Sequence, residues 1–197
     1  SFKISAIILM TSTLSDENKN ILLRVARGSI KNYLRNMPDN NLQAESLELQ
    51  KKRAVFVTLR KRIFGELRGC IGHTEARYPL IEAVAKTAIS SAVDDARFPT
   101  LKISELPDVL IEINLLSPLA PSKAEDVEIG KHGIMIKKGS KGALFLPEVA
   151  VSNDWDIHTF FGELCRKADL PQGSCLDREA ELYVFESDAW GENEFLS

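Results

Sequence analysis

Cysteine and histidine are both scarce in this chain, with three of each in 197 residues. Cys70, Cys165 and Cys175 are widely spaced, and no CxxC pair occurs. That spacing speaks against a disulfide framework or a zinc knuckle and points to a reducing, cytoplasmic setting. Long apolar runs are missing as well. The run from Ala6 to Met10 is too short to span a bilayer, and no A-x-A-like cleavage site follows it. Neither sign of charge dominates, since the net charge is −3. The basic cluster Arg60-Lys61-Arg62 has no interleaved aromatics, so it reads as a solvated hairpin end rather than a nucleic-acid grip. Internal repeats and low-complexity tracts are absent.

What remains is an ordinary globule, 44% apolar and 27% charged, long enough to bury a core. Residues 1–13 read as an N-terminal extension, either an edge strand or a leader ahead of Met10. Residues 14–192 read as a single domain with room for a small second lobe. Ser15 is a good helix cap, and Ile21, Leu22, Val25, Ala26, Ile30 and Tyr33 recur at helical spacing, which predicts a helix over 16–35. Met37 to Gln50 is polar and reads as a loop. Residues 54–59 make a strand, and a turn near Gly65 returns the chain. Pro79 opens a helix through Val93 that is rich in small residues. A short helical segment is expected around Ser104–Leu106. Val109 to Leu116 alternates as a strand, with Glu112 on a largely apolar face. Residues 134–136 and 143–146 flank Gly139-Ser140-Lys141-Gly142, a hairpin signal. Asp156 caps a helix with Phe160 and Phe161 assigned to the core, and Leu182 to Phe185 forms the last strand. Strands in hairpins separated by a few helices read as α+β with mostly antiparallel pairing.

Residues 67–72, Leu67-Arg68-Gly69-Cys70-Ile71-Gly72, form the most informative stretch. Glycine weakens a strand, so two glycines around one cysteine call for a bulge, a turn or a close backbone approach. This hexapeptide resembles the hallmark of the AMMECR1 domain family. Residues 95–101 are similar to that family's DPRFPPL block, with Ala96 for a common proline. Residues 111–118 resemble IEISVLSP, and residues 129–134 and 145–149 fit as well, with Glu148 for a common glutamine. Trp155 before a helix holding Cys165 and Lys167 also fits, so the likeness runs from about Leu14 to Trp190. The resemblance implies a two-lobed α+β fold, an antiparallel sheet flanked by helices, with the hexapeptide near a groove. It also implies a pathway shared with Memo-like and radical-SAM proteins, in which some modification reaction is carried out. The position of His73 varies in the family.

Three readings fit Cys70. The plainest is a small buried thiol that lets a helix pack on the sheet. The second is a nucleophile or redox thiol, with Arg68 or the N-terminus of the 79–93 helix lowering its pKa and glycine N–H groups donating to an oxyanion. The third is a ligand contact. Strand parity places Arg68 on the Cys70 face and His73 on the other, with Glu66 in position to pair with Arg68. Arg68, Gly69, Gly72, Arg97 and Glu112 complete the candidate ligand-binding set. Arg97 is expected to pair with Asp95 or Glu112, or to clamp an anion beside Arg68. Glu112 would be a general base or the partner of a buried arginine. Cys70, His73, Glu112 and His132 lack metal-ligand spacing, and no cofactor is called for. An enzyme acting through the Arg68/Cys70 groove and a non-catalytic module recognising a protein or RNA both remain open.

Overall fold

The first helix forms where its cap predicts. In this computed structural model, which describes residues 14–38, 46–174 and 177–195, α1 runs Asp16–Leu34 and the Ser15 hydroxyl accepts the Asn18 N–H at 3.2 Å. Residues 1–13, part of the polar loop and Cys175 lie outside the described residues. Within the expected loop, α2 (Leu47–Gln50) is a single helical turn that buries Leu49. Strand β1 (Val55–Lys61) pairs antiparallel with β2 (Leu67–His73) and with β3 (Val109–Leu116). The 14-residue helix α3 (Leu80–Val93) packs on β1 and β2, and α1 packs against α3. The helical segment expected near Leu106 is a 3-10 turn, Leu106–Asp108.

The period-2 pattern of the strands decides which side becomes the core. Val55, Val57 and Leu59 of β1 and Ile111, Ile113 and Leu115 of β3 are fully buried, in one cluster with Leu22, Ala26 and Ile30 of α1 and Leu80, Val84 and Ala88 of α3. The alternate residues, among them Phe56, Thr58, Arg60 and Glu112, take the other face. The sheet is completed by a strand that sequence reasoning missed, β8 (Ser187–Gly191), next to β3 in the order β2-β1-β3-β8. Trp190 anchors it, 2% exposed, its Nε1–H donating to Lys19 C=O at 3.3 Å. Glu192 then takes the Arg27 guanidinium and the Ile111 N–H at 2.9 Å.

Contacts divide the chain into two units. Residues up to Leu115 and those from Asp188 make one, and Leu116–Ser187 makes the other. In the second, β4 (Ala120–Pro121), β5 (Gly133–Lys138), β6 (Lys141–Phe145) and β7 (Glu181–Phe185) form a sheet of order β4-β7-β5-β6. The two-residue turn Gly139-Ser140 has Gly139 at φ +60, as the first corner of a primed hairpin turn requires. Helices α4 (Pro147–Ser152) and α5 (Ile157–Lys167) pack against this sheet. Asp156 caps α5 by accepting the Thr159 N–H at 2.7 Å. Phe160 is fully buried with Leu164 and Ile136. Phe161, assigned to the core from sequence, is half-buried and packs against that cluster. The antiparallel α+β architecture expected from the strand order is the one observed.

Candidate functional site

Each glycine of β2 has its own physical reason. A Cβ on Gly69 would lie 2.1 Å from the Ser91 carbonyl oxygen, so Gly69 lets α3 come down onto the strand. The Ser91 hydroxyl is wedged there too, accepting the Ile71 N–H at 3.0 Å within donating distance of Val57 C=O, 2.8 Å away. A Cβ on Gly72 would lie 2.1 Å from the Phe56 ring, which crosses the strand on the other face. Cys70 pairs with Thr58 on that same face, away from α3. The reading of Cys70 as the residue that admits a helix is therefore overturned. Gly69 does that work, and the thiol is half-buried on the opposite side.

The thiol is held by its neighbours and by its own backbone. Thr58 Oγ1–H donates to Cys70 Sγ at 3.3 Å. Asp95, only 6% exposed, accepts the Cys70 N–H at 2.8 Å. The same carboxylate takes the Arg97 N–H at 3.1 Å and its Nε and Nη2 at 2.9 and 2.7 Å. Arg97 Nη2 also donates to Cys70 C=O at 3.4 Å. The Arg97 guanidinium, aided by the two backbone N–H groups and opposed by burial, holds Asp95 well below the usual carboxylate range. One part of the nucleophile reading does not survive this geometry. The α3 residue beside β2 is Ser91, in the last turn of the helix. The helix N-terminus sits at Lys51, whose C=O accepts the Leu80 N–H at 2.9 Å.

Arg68 departs from the parity argument because the strand is not continuous. Leu59 pairs with Gly69 and Arg60 with Leu67, leaving Arg68 as the extra residue of a bulge. Its side chain is buried, 5% exposed, and turns to Glu105, with Nε and Nη2 at 3.1 and 3.3 Å from the two carboxylate oxygens. Burial pushes Glu105 up, but Arg68 and the Lys102 N–H bring it below its ordinary value. Glu66, expected on Arg68, pairs with Lys61 at 2.8 Å instead. Glu112, expected on Arg68 or Arg97, pairs with Arg60 at 2.8 Å in a half-exposed contact, which argues against a desolvated general base there.

Of the sequence candidates, Cys70 and Arg97 therefore meet, with Gly69 and Gly72 shaping the strand around them. Glu112 lies across β1 on the Cys70 face, opposite Thr58 in register. Arg68 belongs to a separate ion pair. His73 pairs with Val55, on the α3 side. His132 belongs to the second unit, where its Nδ1 accepts the Glu128 N–H at 3.1 Å. Among the described residues no group of three or more His, Cys, Asp or Glu side chains is placed to hold a metal ion. None of their helices is long and apolar enough to cross a membrane. Thr58, Ser91 and Glu105 went unpredicted. Thr58 was legible only as a strand position, Ser91 only as one small residue among many, and Glu105 carried no signal at all.

The same arrangement of elements occurs in known proteins. The chain is similar to the crystal structure of an uncharacterised protein, PH0010, of Pyrococcus horikoshii, with a TM-score of 0.83 and 36% identity, covering 90% of this chain and 93% of that one. It is 38% identical over 195 residues to Protein MK0488 of Methanopyrus kandleri, covering 94% of this chain and 93% of the relative. A protein of Methanococcoides burtonii is 39% identical over 182 residues, 87% of this chain and 88% of the relative. The AMMECR1 family model matches residues 23–190, which takes in both sheets and the whole Cys70 network, so this chain belongs to the AMMECR1 family.

Proposed function

We propose that the open face of the first sheet is a thiol-centred ligand site, with Cys70 as its contact group, Arg97 as its cation and Gly69 and Gly72 as the backbone that shapes it. One observation carries this reading. Cys70 is half-exposed on the face away from α3, with a hydroxyl donating to its sulfur and its peptide group pinned on both sides by Asp95 and Arg97. The fixed backbone spares a ligand the cost of ordering it. The setting that suits such a thiol is the reducing cytoplasm. There the protein would serve a modification pathway alongside Memo-like or radical-SAM partners.

The test is iodoacetamide labelling at pH 7.5, read site by site by mass spectrometry. Cys70 is expected to label at least tenfold faster than the buried Cys165, and Thr58→Val is expected to slow Cys70 severalfold. Labelling of Cys70 no faster than a peptide thiol, and indifferent to Thr58, would sink the reading. A second reading, a non-catalytic module for a protein partner, is favoured by Ile63 and Phe64. Both protrude at the β1–β2 turn, 78% and 80% exposed. On that reading Phe64→Ser would remove the phenotype of the gene while leaving Cys70 labelling unchanged.

A further inference from the structure

The strand that carries Cys70 ends at His73, and His73 shares the face of its partner Val55, on the α3 side of the sheet. There it borders a hollow of about 380 Å³, at the small end of the range for small-molecule sites. Its walls all belong to the first unit. Small residues of α3 make the room: Ala83, Thr87 and Ser90 succeed one another at helical spacing and put no large side chain into the space.

Three features suit this hollow to one kind of ligand. Tyr33, from α1, and Tyr78, from the loop before α3, stand at it with their side chains 52% and 42% exposed. Exposed aromatic rings at a cavity are stacking surfaces waiting for a flat partner. Cations lie beside the rings. Lys86 Nζ sits 5.0 Å from the Tyr78 ring centroid, and the Arg53 side chain is half-buried in the wall. Burial pulls Arg53 below its ordinary value, against the attraction of Glu48 and Asp188, and an added anion would offset that burial. Arg77 is taken by Glu75 at 2.7 Å and adds little, and Lys86 has a looser, exposed contact with Glu82 at 3.6 Å. The parts are also tied in place. Lys52 and Pro79 form an antiparallel bridge, and the Leu80 N–H donates to Lys51 C=O at 2.9 Å. The residues flanking Arg53 and Tyr78 are thus locked to each other before any ligand arrives.

We infer that this hollow binds a small anionic ligand carrying one aromatic ring, of the size and chemistry of a nucleoside monophosphate. The ring packs against the tyrosines, and the anion lies on Arg53 with Lys86 beside it. Its small volume and the net charge of −3 argue against a polymer. The site stands on the opposite face of β2 from Cys70 and does not depend on the thiol.

Isothermal titration of the full chain with AMP, adenosine and inorganic phosphate at one ionic strength tests it. AMP is expected to bind with a sub-millimolar Kd, and adenosine and phosphate each at least tenfold more weakly. Arg53→Gln should weaken AMP at least tenfold. Tyr78→Ala and Lys86→Gln, both at exposed positions where folding is not at stake, should weaken it about fivefold. Cys70→Ser should bind AMP as the native chain does. AMP no tighter than phosphate would remove the ring from the argument, and AMP no tighter than adenosine would remove the cation. Either result overturns the inference. So does the absence of binding at millimolar AMP, native affinity in both exposed variants, or loss of AMP binding by a Cys70→Ser protein that melts normally.

Discussion

The two principal hairpins of this protein are built on opposite terms. In β5–β6, every residue from Ile134 to Lys138 has its partner in unbroken register, and a two-residue turn closes the ladder. In β1–β2 the turn is longer, a bulge breaks the register at Arg68, and two glycines sit under a helix and a phenyl ring. The regular hairpin also has a glycine under a ring, since a Cβ on Gly133 would lie 2.4 Å from Phe185, but it keeps an unbroken ladder. The irregular one spends local strand stability on shape, and the candidate site lies on it. Irregularity of this kind, where each deviation meets a specific neighbour, marks the part of a sheet that does more than hold the fold.

Substitutions can break or sharpen that contrast. Gly69→Ala should have the largest effect. Its Cβ would meet a helix carbonyl rather than a flexible side chain, so α3 must move, at a cost of about 3 kcal/mol in urea denaturation. Glu105→Gln comes next, because it leaves the Arg68 guanidinium buried beside a neutral amide. Screening on the open side of Glu105 limits the loss to about 2 kcal/mol. Asp95→Asn should cost about 1.5 kcal/mol at neutral pH through weakened hydrogen bonds to Cys70 and Arg97. That difference has a pH signature. The folded Asp95 lies below its unfolded value, so its stabilisation is complete above about pH 4, the unfolded carboxylate value. It drains away as pH falls towards the folded value. Melting temperatures of native and Asp95→Asn proteins should therefore converge on acidification below pH 4. The smallest effect belongs to the regular hairpin. Gly139→Ala meets open space and pays only for its positive φ, about 1 kcal/mol. If it cost as much as Gly69→Ala, the contrast between the hairpins would fall.

Much of the regular architecture was legible in the residues. The Ser15 and Asp156 caps, the alternation in Val109–Leu116 and the Gly139-Ser140 turn each rest on contacts within a few positions, and the observed elements lie within a residue or two of expectation. The short strand β8 escaped because Ser187–Gly191 has little β pattern of its own and its neighbour β3 is distant in sequence. The site was legible in outline only. Asp95 with Arg97 was foreseen because the two lie only two residues apart. Arg68 with Glu105 and Arg60 with Glu112 were not, since those partners lie 37 and 52 residues apart.

The residues alone settled that two glycines around Cys70 needed a special cause, a bulge, a turn or a close approach, because a strand gains nothing from them otherwise. They also placed His73 on the face away from the thiol, since side chains alternate along any strand. Which glycine met what was decided only by tertiary packing. The helix that approaches comes down on Gly69 and the ring on Gly72, and the bulge at Arg68 turns an arginine that parity had assigned to Cys70 towards Glu105. Parity counts residues, and a bulge inserts one. That is why the sequence could say that a special site was there, and only the assembled sheet could say which side chains share it.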